Sequence, residues 1–177
     1  LHDAVVDRLV AEAEKLPVGL PWHEETEVGP LVSEEQLERV MGYIEAGTEE
    51  GAELLTGGHR PGRNELDRGF YVEPTVFDRV QPDMRIAKEE IFGPVMSVLT
   101  WRDYEAMLEE ANGIIYGLTA AIVTNDLKLA METAQRIEAG YLWINSSGRY
   151  LGAPYGGWKQ SGIGHEESLD ELLSYTQ

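Results

Sequence analysis

The chain has 177 residues, with 14 lysines and arginines against 32 aspartates and glutamates, and its formal net charge is -18. A balance this acidic argues against a nucleic-acid or anionic-membrane surface, because both require a basic patch. The sequence has no cysteine, which excludes disulfides, thiolate metal sites and a cysteine nucleophile within this chain. The length predicts one compact domain that can bury a core.

The acidic residues are spread along the chain, in pairs such as Glu34-Glu35 and Glu109-Glu110. This is typical of a solvated acidic surface. We hypothesise adaptation to high salt, where screening relieves like-charge repulsion, and an ordinary acidic protein is the alternative. A melting temperature that does not rise from low to molar salt would contradict the hypothesis. Since no apolar run approaches membrane-spanning length and no signal peptide is visible, we expect a cytoplasmic protein without membrane contact.

The first half of the chain contains two helical patterns. An amphipathic pattern from Asp3 to Leu16 is stopped by Pro17. Ser33 and Gln36 then fit a capping box, in which each side chain would accept a hydrogen bond from the backbone amide of the other residue. We expect the helix behind them to end at Gly47. The apolar residues that predict its buried face are Leu37, Val40, Met41 and Ile44.

Strands alternate with helices through the rest of the chain. Short strands are predicted at 52–56 and 70–77, although Pro74 cannot donate a ladder hydrogen bond and makes the second strand an edge or irregular one. Later elements are predicted as strands at 95–101, 118–123 and 141–145 and as helices at 103–112, 126–138 and 166–175. Because strands and helices alternate at this spacing, we expect an α/β fold with a parallel sheet and right-handed crossovers.

A constrained corner precedes the predicted strand 95–101. Gly93-Pro94 forms a turn, and Phe92 lies between that turn and the adjacent carboxylates Glu89-Glu90. From the residues alone, the simplest interpretation is a surface turn with solvated carboxylates and a phenylalanine in the core. A carboxylate at such a place can also accept hydrogen bonds from both hydroxyls of a nucleotide ribose, with an aromatic wall beside it.

The corner from Glu89 to Val95 resembles a signature segment of the NAD(P)-dependent aldehyde dehydrogenase family. Further segments follow in the same order as in that family, so the resemblance covers essentially the whole chain. They are Gly-Pro-Leu-Val-Ser at 29–33, Gly-Gly at 57–58, Phe-Tyr-Val-Glu-Pro-Thr-Val at 70–76, Tyr-Gly-Leu-Thr-Ala-Ala at 116–121, Ala-Gly at 139–140, Trp-Ile-Asn at 143–145 and Pro-Tyr-Gly-Gly-Trp-Lys-Gln-Ser-Gly at 154–162. The resemblance implies a three-layer αβα fold with a mostly parallel sheet, as in the C-terminal, catalytic-domain portion of such an enzyme.

The resemblance also implies cofactor-binding residues. Glu90 matches the residue that contacts the nicotinamide ribose, and Phe92 matches the aromatic wall beside the nicotinamide ring. Gln36 and Arg39 match positions that can approach the same ribose, although a solvated helix face fits them equally well. The cofactor implied is NAD or NADP.

A loop rich in glycine and serine follows the predicted strand 141–145, at the end of a strand where ligands of parallel sheets gather. In the resembled family this loop lies at the mouth of the aldehyde tunnel. Tyr155, with Tyr150 and Leu151, would line its substrate side, where apolar walls suit an apolar aldehyde. Arg149 would meet an acidic substrate or face solvent, and a plain surface loop is the general alternative.

The chemistry of the resembled family needs a cysteine nucleophile and a glutamate base. The resemblance places both of them, and the nucleotide-binding domain, upstream of this segment, and places an oligomerisation strand after Gln177. We therefore expect residues 1–177 to form a single domain, most of an aldehyde dehydrogenase catalytic domain, with no catalytic residue of its own. The four histidines have no metal-ligand spacing, so we also expect no metal site.

Three functional interpretations follow from these residues. The first is part of a homo-oligomeric oxidoreductase that converts an aldehyde to a carboxylic acid with NAD(P)+, this segment being inactive alone. The second is a stand-alone, non-catalytic module that acts through subunit interaction, as the lack of cysteine favours. The third keeps the family but replaces water by coenzyme A as the acyl acceptor. Uncovered apolar faces and sheet edges would favour self-association in each case.

Overall fold

A computed structural model describes residues 1–63, 65–148 and 150–176 of the chain. The chain divides into two compact units, Leu1–Thr100 and Trp101–Gln177. Each unit contains helices and strands, which confirms the predicted α/β class. No helix among the described residues combines the length and the apolar character needed to cross a membrane.

The first unit is built around a central strand. Its elements are α1 (His2–Ala13), α2 (Glu34–Glu49), β1 (Glu53–Thr56), β2 (Thr75–Asp78), α3 (Arg85–Lys88) and β3 (Val95–Ser97). Strand β2 pairs antiparallel with β1 and parallel with β3. All four residues of β2 are buried, so the other elements of this unit cover the strand on both faces.

Helix α2 supplies much of the core of the first unit. Leu37, Val40 and Ile44 are buried and belong to one apolar cluster with Phe77 of β2. Met41 is partly buried and packs against the same cluster. The predicted apolar face of this helix is therefore confirmed, as expected for a 3.6-residue period.

The predicted end of α2 at Gly47 is wrong, because the helix continues to Glu49. Gly47 is buried inside the helix. A Cβ atom at this position would lie 2.8 Å from Ile86 Cδ1 of α3. Glycine thus allows α3 to pack closely here, whereas the sequence suggested a requirement of the helix end.

The second unit contains two separate strand pairs. Its elements are α4 (Tyr104–Asn112), β4 (Tyr116–Gly117), β5 (Thr119–Ile122), α5 (Leu127–Ala134), β6 (Tyr141–Ile144), β7 (Trp158–Lys159) and α6 (Leu169–Ser174). Strands β5 and β6 are parallel and flank α5 in sequence, which confirms the predicted parallel pairing. Strands β4 and β7 form a short antiparallel pair.

Helix α5 is shorter than its predicted range of 126–138. It ends at Ala134, and the Gly140 backbone amide beyond it donates to the Gly117 carbonyl oxygen at 3.0 Å. Ala130 is buried, whereas Leu127 is 72% exposed. Periodicity locates an apolar face, but the elements that pack on it decide which part of that face is buried.

Candidate functional site

Helix α2 begins with a cap that also positions Gln36. Ser33 is the N-cap residue, and its Oγ accepts a hydrogen bond from the Gln36 backbone amide at 3.2 Å. The predicted reciprocal half of the capping box does not form, because the Gln36 side chain extends to another segment. Its Nε2 donates to the carbonyl oxygens of Ile91 and Phe92, at 3.0 and 3.1 Å.

Three successive carbonyl groups of the corner accept hydrogen bonds from α2. In addition to the two bonds from Gln36, Arg39 Nη2 donates to the Glu90 carbonyl oxygen at 3.4 Å. Gln36 and Arg39 are three residues apart, so they lie on one helix face. Gly93 packs on the same face, where a Cβ atom would lie 2.6 Å from Val40 Cγ2. One face of α2 therefore contacts the backbone from residue 90 to residue 93.

This backbone directs two side chains outward. Phe92 has a φ of 57°, in the left-handed region that residues other than glycine rarely adopt, and it is 73% exposed. Glu90 is exposed as well, and within the described residues its carboxylate has no hydrogen-bond or ion-pair partner. Ile91, between them, is buried. The interpretation that placed the phenylalanine in the core is therefore wrong.

The neighbouring carboxylate, Glu89, has different surroundings. Its Oε2 accepts a hydrogen bond from the Tyr43 hydroxyl at 2.8 Å. Arg85 Nε and Nη2 donate to its two carboxylate oxygens, each at 3.3 Å. The bonds from Arg85 and then from Tyr43 lower the pKa of Glu89, because they stabilise the charged form. The two adjacent carboxylates thus have separate roles, since Glu89 is bonded within the protein and Glu90 faces outward.

The glycine- and serine-rich loop of the second unit is attached to β6. Trp143 Nε1 donates to the Gly148 carbonyl oxygen at 2.9 Å, and the Tyr150 backbone amide donates to the Tyr141 hydroxyl at 3.2 Å. The Tyr141 ring also lies beside the rings of Trp143 and Tyr155, with centroids 4.9 and 5.4 Å apart. Sequence analysis missed Tyr141 and Trp143 as residues that position the loop. Their two-residue spacing, which puts both on one face of β6, was the available signal.

The three substrate candidates have different positions on this loop. Tyr155 lines a cavity of about 590 Å³ together with Gly156 and Gly157, a size that accommodates a small molecule. Tyr150 and Leu151 do not belong to its lining and are 72% and 77% exposed. The residue between Gly148 and Tyr150, for which sequence analysis considered an acidic substrate, lies outside the described residues.

The candidate residues divide between the two units. Gln36, Arg39, Glu90 and Phe92 are in the first unit, where the structure brings them together. Tyr155 and its neighbours on the loop are in the second unit. Among the described residues, no group of three or more histidines, aspartates and glutamates is arranged to hold a metal ion.

A family model described as the aldehyde dehydrogenase family matches residues 1–177, the whole chain. The chain belongs to the aldehyde dehydrogenase family. It is 47% identical to a betaine aldehyde dehydrogenase of Mesorhizobium japonicum and 44% identical to one of Bacillus subtilis. Each alignment covers 100% of this chain but only 37% and 36% of the relative. The chain therefore spans little more than a third of these aldehyde dehydrogenases.

Solved structures of aldehyde dehydrogenases have the same fold as this chain. An aldehyde dehydrogenase of Bacillus cereus in complex with NAD+ matches with a TM-score of 0.90 and 45% identity, over 99% of this chain and 35% of the other. A betaine aldehyde dehydrogenase of Staphylococcus aureus, also in complex with NAD+, matches with a TM-score of 0.90 and 36% identity, over 98% of this chain and 35% of the other. Both likenesses confirm the α/β fold class.

Proposed function

We propose that this chain is a catalytic-domain portion of a dehydrogenase that oxidises an aldehyde to a carboxylic acid with NAD+ or NADP+. The observation that carries the proposal is the corner at Glu90 and Phe92. It combines an exposed carboxylate with an exposed aromatic ring two residues away, on backbone that α2 holds by hydrogen bonds. The NAD+ complexes of related aldehyde dehydrogenases support the same cofactor here.

Each outward side chain at the corner has a defined task in this proposal. The cofactor, when bound, accepts a hydride from the substrate. The Glu90 carboxylate accepts hydrogen bonds from both hydroxyls of the nicotinamide ribose, which are charge-assisted and therefore stronger than neutral ones. The Phe92 ring forms an apolar wall that excludes water from one side of the nicotinamide. Both contacts address the nicotinamide half, which NAD+ and NADP+ share.

Gln36 and Arg39 act mainly on the protein itself. Gln36 uses its side-chain nitrogen on the carbonyl oxygens of Ile91 and Phe92, so its role is to orient the corner. Arg39 is exposed, and one of its Nη groups donates to the Glu90 carbonyl oxygen. Since a guanidinium has five N–H donors, Arg39 also remains available for a direct bond to the ribose.

We assign the loop after β6 to binding of the aldehyde substrate. The rings of Tyr141, Trp143 and Tyr155 lie close together, and aromatic faces suit both an apolar group and a quaternary ammonium group. The relatives named betaine aldehyde dehydrogenases act on an aldehyde that carries a quaternary ammonium group. Comparing turnover of betaine aldehyde with that of an uncharged aldehyde of similar size decides between the two classes.

The experiment that tests the cofactor role replaces Glu90 in a dehydrogenase polypeptide that contains this segment. Glu90→Gln loses charge-assisted hydrogen bonds worth roughly 1.5–3 kcal/mol, so we expect the Kd for NAD+ to rise about tenfold to a hundredfold. Glu45→Gln, which removes an exposed carboxylate of α2, is the matched control and should leave the Kd unchanged. Equal affinities of the two variants would refute the assignment of Glu90.

We expect the chain by itself to show no dehydrogenase turnover, because it has no cysteine to act as the nucleophile. The assay is aldehyde-dependent formation of NADH by the purified chain. If NADH formed, and if Glu90→Ala abolished it, the chain would carry catalytic machinery that we have not assigned.

Association between copies of the chain is a second part of the proposal. Helix α6 and its C-cap residue expose four large apolar side chains, and such a cluster favours burial against another surface. They are Leu169, Leu172, Leu173 and Tyr175. We expect a dimer or larger assembly in light scattering, which Leu172→Glu weakens. Light scattering that shows only monomer over a wide concentration range would refute this part of the proposal. It would also refute the interpretation of the chain as a subunit-binding module.

A further inference from the structure

We propose that Tyr43, Arg85 and Glu89 are positioning residues, which orient the Glu90 carboxylate and the Phe92 ring by fixing the backbone immediately before them. This inference rests on the proposed function of the corner. The three residues, which we call the Glu89 cluster, come from α2, from α3 and from the residue that follows α3. None of them is assigned a contact with cofactor or substrate.

Tyr43 extends the row of α2 side chains that contact the corner. It follows Arg39 by four residues and Gln36 by seven, so all three lie on one helix face. Tyr43 is 5% exposed, and its hydroxyl donates to Glu89 Oε2 at 2.8 Å. The buried ring fixes the position of the hydroxyl, which in turn fixes the carboxylate at the start of the corner.

Arg85 connects the same carboxylate to the other end of α3. Its guanidinium lies 5.0 Å from the centre of the Tyr43 ring and donates to Glu89. Its backbone amide donates to Glu50 Oε2 at 2.8 Å. Glu50 is the C-cap residue of α2. Helix α3 is therefore attached to α2 at both ends, at its start by Glu50 and at its end by Tyr43.

These attachments matter because α3 has only four residues. A helix of that length is unstable by itself, since nucleation costs more than so few hydrogen bonds return. The contacts between α3 and α2 therefore set the direction in which the chain enters the corner. Glu89, which bonds to both helices, directly precedes Glu90. The Glu90 carboxylate has no partner of its own among the described residues.

The conformation of Phe92 gives a second reason for an external constraint. A left-handed backbone at a residue other than glycine is strained and persists only where its surroundings determine it. Gln36 holds the carbonyl groups on the far side of Glu90, and the Glu89 cluster holds the near side. With one side released, the strained residue can relax, and the ring and the carboxylate lose their relative orientation.

The second unit offers a matched control for the hydroxyl of Tyr43. Tyr104 also has a guanidinium beside its ring, with Arg136 Cζ 5.5 Å from the ring centre, and its hydroxyl is hydrogen-bonded to Thr133 Oγ1 at 3.0 Å. Arg136 in turn binds the Glu105 carboxylate. Tyr104→Phe therefore deletes a hydrogen-bonded hydroxyl from a half-buried ring beside a guanidinium, in the unit that lacks the corner.

The first test uses backbone amide NMR relaxation on the chain itself. In Tyr43→Phe we expect the order parameters of Glu90, Phe92 and Gly93 to fall from about 0.85 to about 0.6. Tyr104→Phe should leave these three amides unchanged. The substitution Tyr43→Phe keeps the buried ring, so it preserves the core of α2. Unchanged order at the corner in Tyr43→Phe would overturn the inference, whatever the cofactor experiment shows.

The second test separates positioning from general stability in a dehydrogenase polypeptide that contains this segment. We expect Tyr43→Phe to raise the KM for NAD+ about threefold, in line with one lost hydrogen bond, and to leave the KM for the aldehyde unchanged. Glu89→Gln, which keeps an oxygen acceptor for Tyr43, should retain more affinity than Glu89→Ala. Equal effects of Tyr43→Phe and Tyr104→Phe on both constants would count against positioning. If Glu90→Gln had no effect while the corner still lost order in Tyr43→Phe, the proposed function would fail and the structural role of the cluster would stand.

Discussion

The corner of the first unit and the loop of the second are held by different kinds of contact. The corner receives hydrogen bonds on successive carbonyl groups from the side chains of one helix, α2, whose apolar face is buried in the core. The side chains of β6 bond to the following loop at two separated points, from Trp143 and to Tyr141, and the Gly152 and Tyr155 amides donate to the carbonyl oxygens of Glu167 and Glu166. A segment contacted at every residue has one conformation, whereas a segment contacted at intervals tolerates changes between its contacts.

This difference suits the tasks proposed for the two regions. A cofactor shared by many enzymes requires one geometry of carboxylate and ring, which the contacts with α2 provide. An aldehyde site that differs between enzymes requires a loop whose exposed residues, such as Tyr150 and Leu151, can be exchanged without disturbing the strand beneath. The following substitutions test this difference between the two regions, beginning with the largest expected effect.

Gly93→Ala should separate the corner from α2. The new Cβ atom would lie 2.6 Å from Val40 Cγ2, and overpacking of this kind costs about 1–3 kcal/mol. Urea unfolding of the chain measures the loss of unfolding free energy. Gly29→Ala is the control, because its Cβ atom would meet nothing within 4 Å and should cost less than about 0.5 kcal/mol. Equal stability of the two variants would show that the corner does not depend on close packing against Val40.

Ser33→Ala should weaken the helix that holds the corner. Loss of the N-cap bond to the Gln36 amide is expected to reduce the free energy of unfolding by about 1 kcal/mol. Ser168 is the N-cap residue of α6, but its side chain makes no cap hydrogen bond, so Ser168→Ala is the matched control and should cost nothing measurable. A loss of the same size in both variants would argue against a specific role for the α2 cap.

Tyr141→Phe should change the loop without changing global stability. It removes the hydroxyl that accepts the Tyr150 amide, and because Tyr150 is exposed, water replaces the lost partner. We expect hydrogen exchange of the Tyr150 amide to accelerate while the free energy of unfolding changes by less than about 0.5 kcal/mol. Unchanged exchange at Tyr150 would mean that the loop is held by other contacts.

The smallest effect is expected from His2, which links α1 to β2 within the first unit. Its Nδ1 and Nε2 each lie 2.9 Å from a carboxylate oxygen, of Asp3 and of Asp78 respectively. These bonds with Asp3 and Asp78 raise the pKa of His2, and the bond with His2 lowers that of Asp3. Burial alone would raise the pKa of Asp78, but His2 and the Arg79 backbone amide together lower it.

The sign of the pH dependence follows from these shifts. The contribution of His2 is complete below its unfolded pKa of about 6.5 and is lost as the pH rises through its higher folded value. The contributions of Asp3 and Asp78 are complete above their unfolded pKa of about 3.9 and are lost as the pH falls through their lower folded values. Relative to His2→Gln, the chain should therefore be most stable between these limits. A constant difference in unfolding midpoint from about pH 3 to about pH 9 would contradict this expectation.

Local features of the chain were predicted well because their causes lie within a few residues. Asp103 and Asp126 cap α4 and α5 through hydrogen bonds to Ala106 and Leu129, at the helix starts that the sequence predicts. The buried face of α2 follows from the helical period in the same way. The parallel pairing of β5 and β6 follows from the order of the strands and the helix between them.

The corner shows where prediction from the residues alone ends. An exposed Phe92 is contrary to the simplest interpretation of an aromatic residue, and only the resemblance to the aldehyde dehydrogenase family predicts a cofactor-binding role for it. The different surroundings of Glu89 and Glu90 were not predicted. Of the two partners of Glu89, Tyr43 on α2 is distant in sequence and Arg85 on α3 was not recognised. Gln36 was predicted to complete a cap, and it instead bonds to residues that follow it by more than fifty positions.

The amino-acid sequence predicted the alternation of helices and strands, the starts of α2, α4 and α5, and the family, since these depend on local chemistry and on ordered motifs. The tertiary structure alone decided which carboxylate is bonded and which is free, why a Cβ atom at Gly47 or Gly93 would crowd a neighbouring side chain, and which face of α5 is buried. The physical reason is that hydrogen bonds and close packing between distant segments depend on distances that no local pattern contains. The proposed cofactor site belongs to this second class, because one face of α2 holds a corner that lies far along the chain.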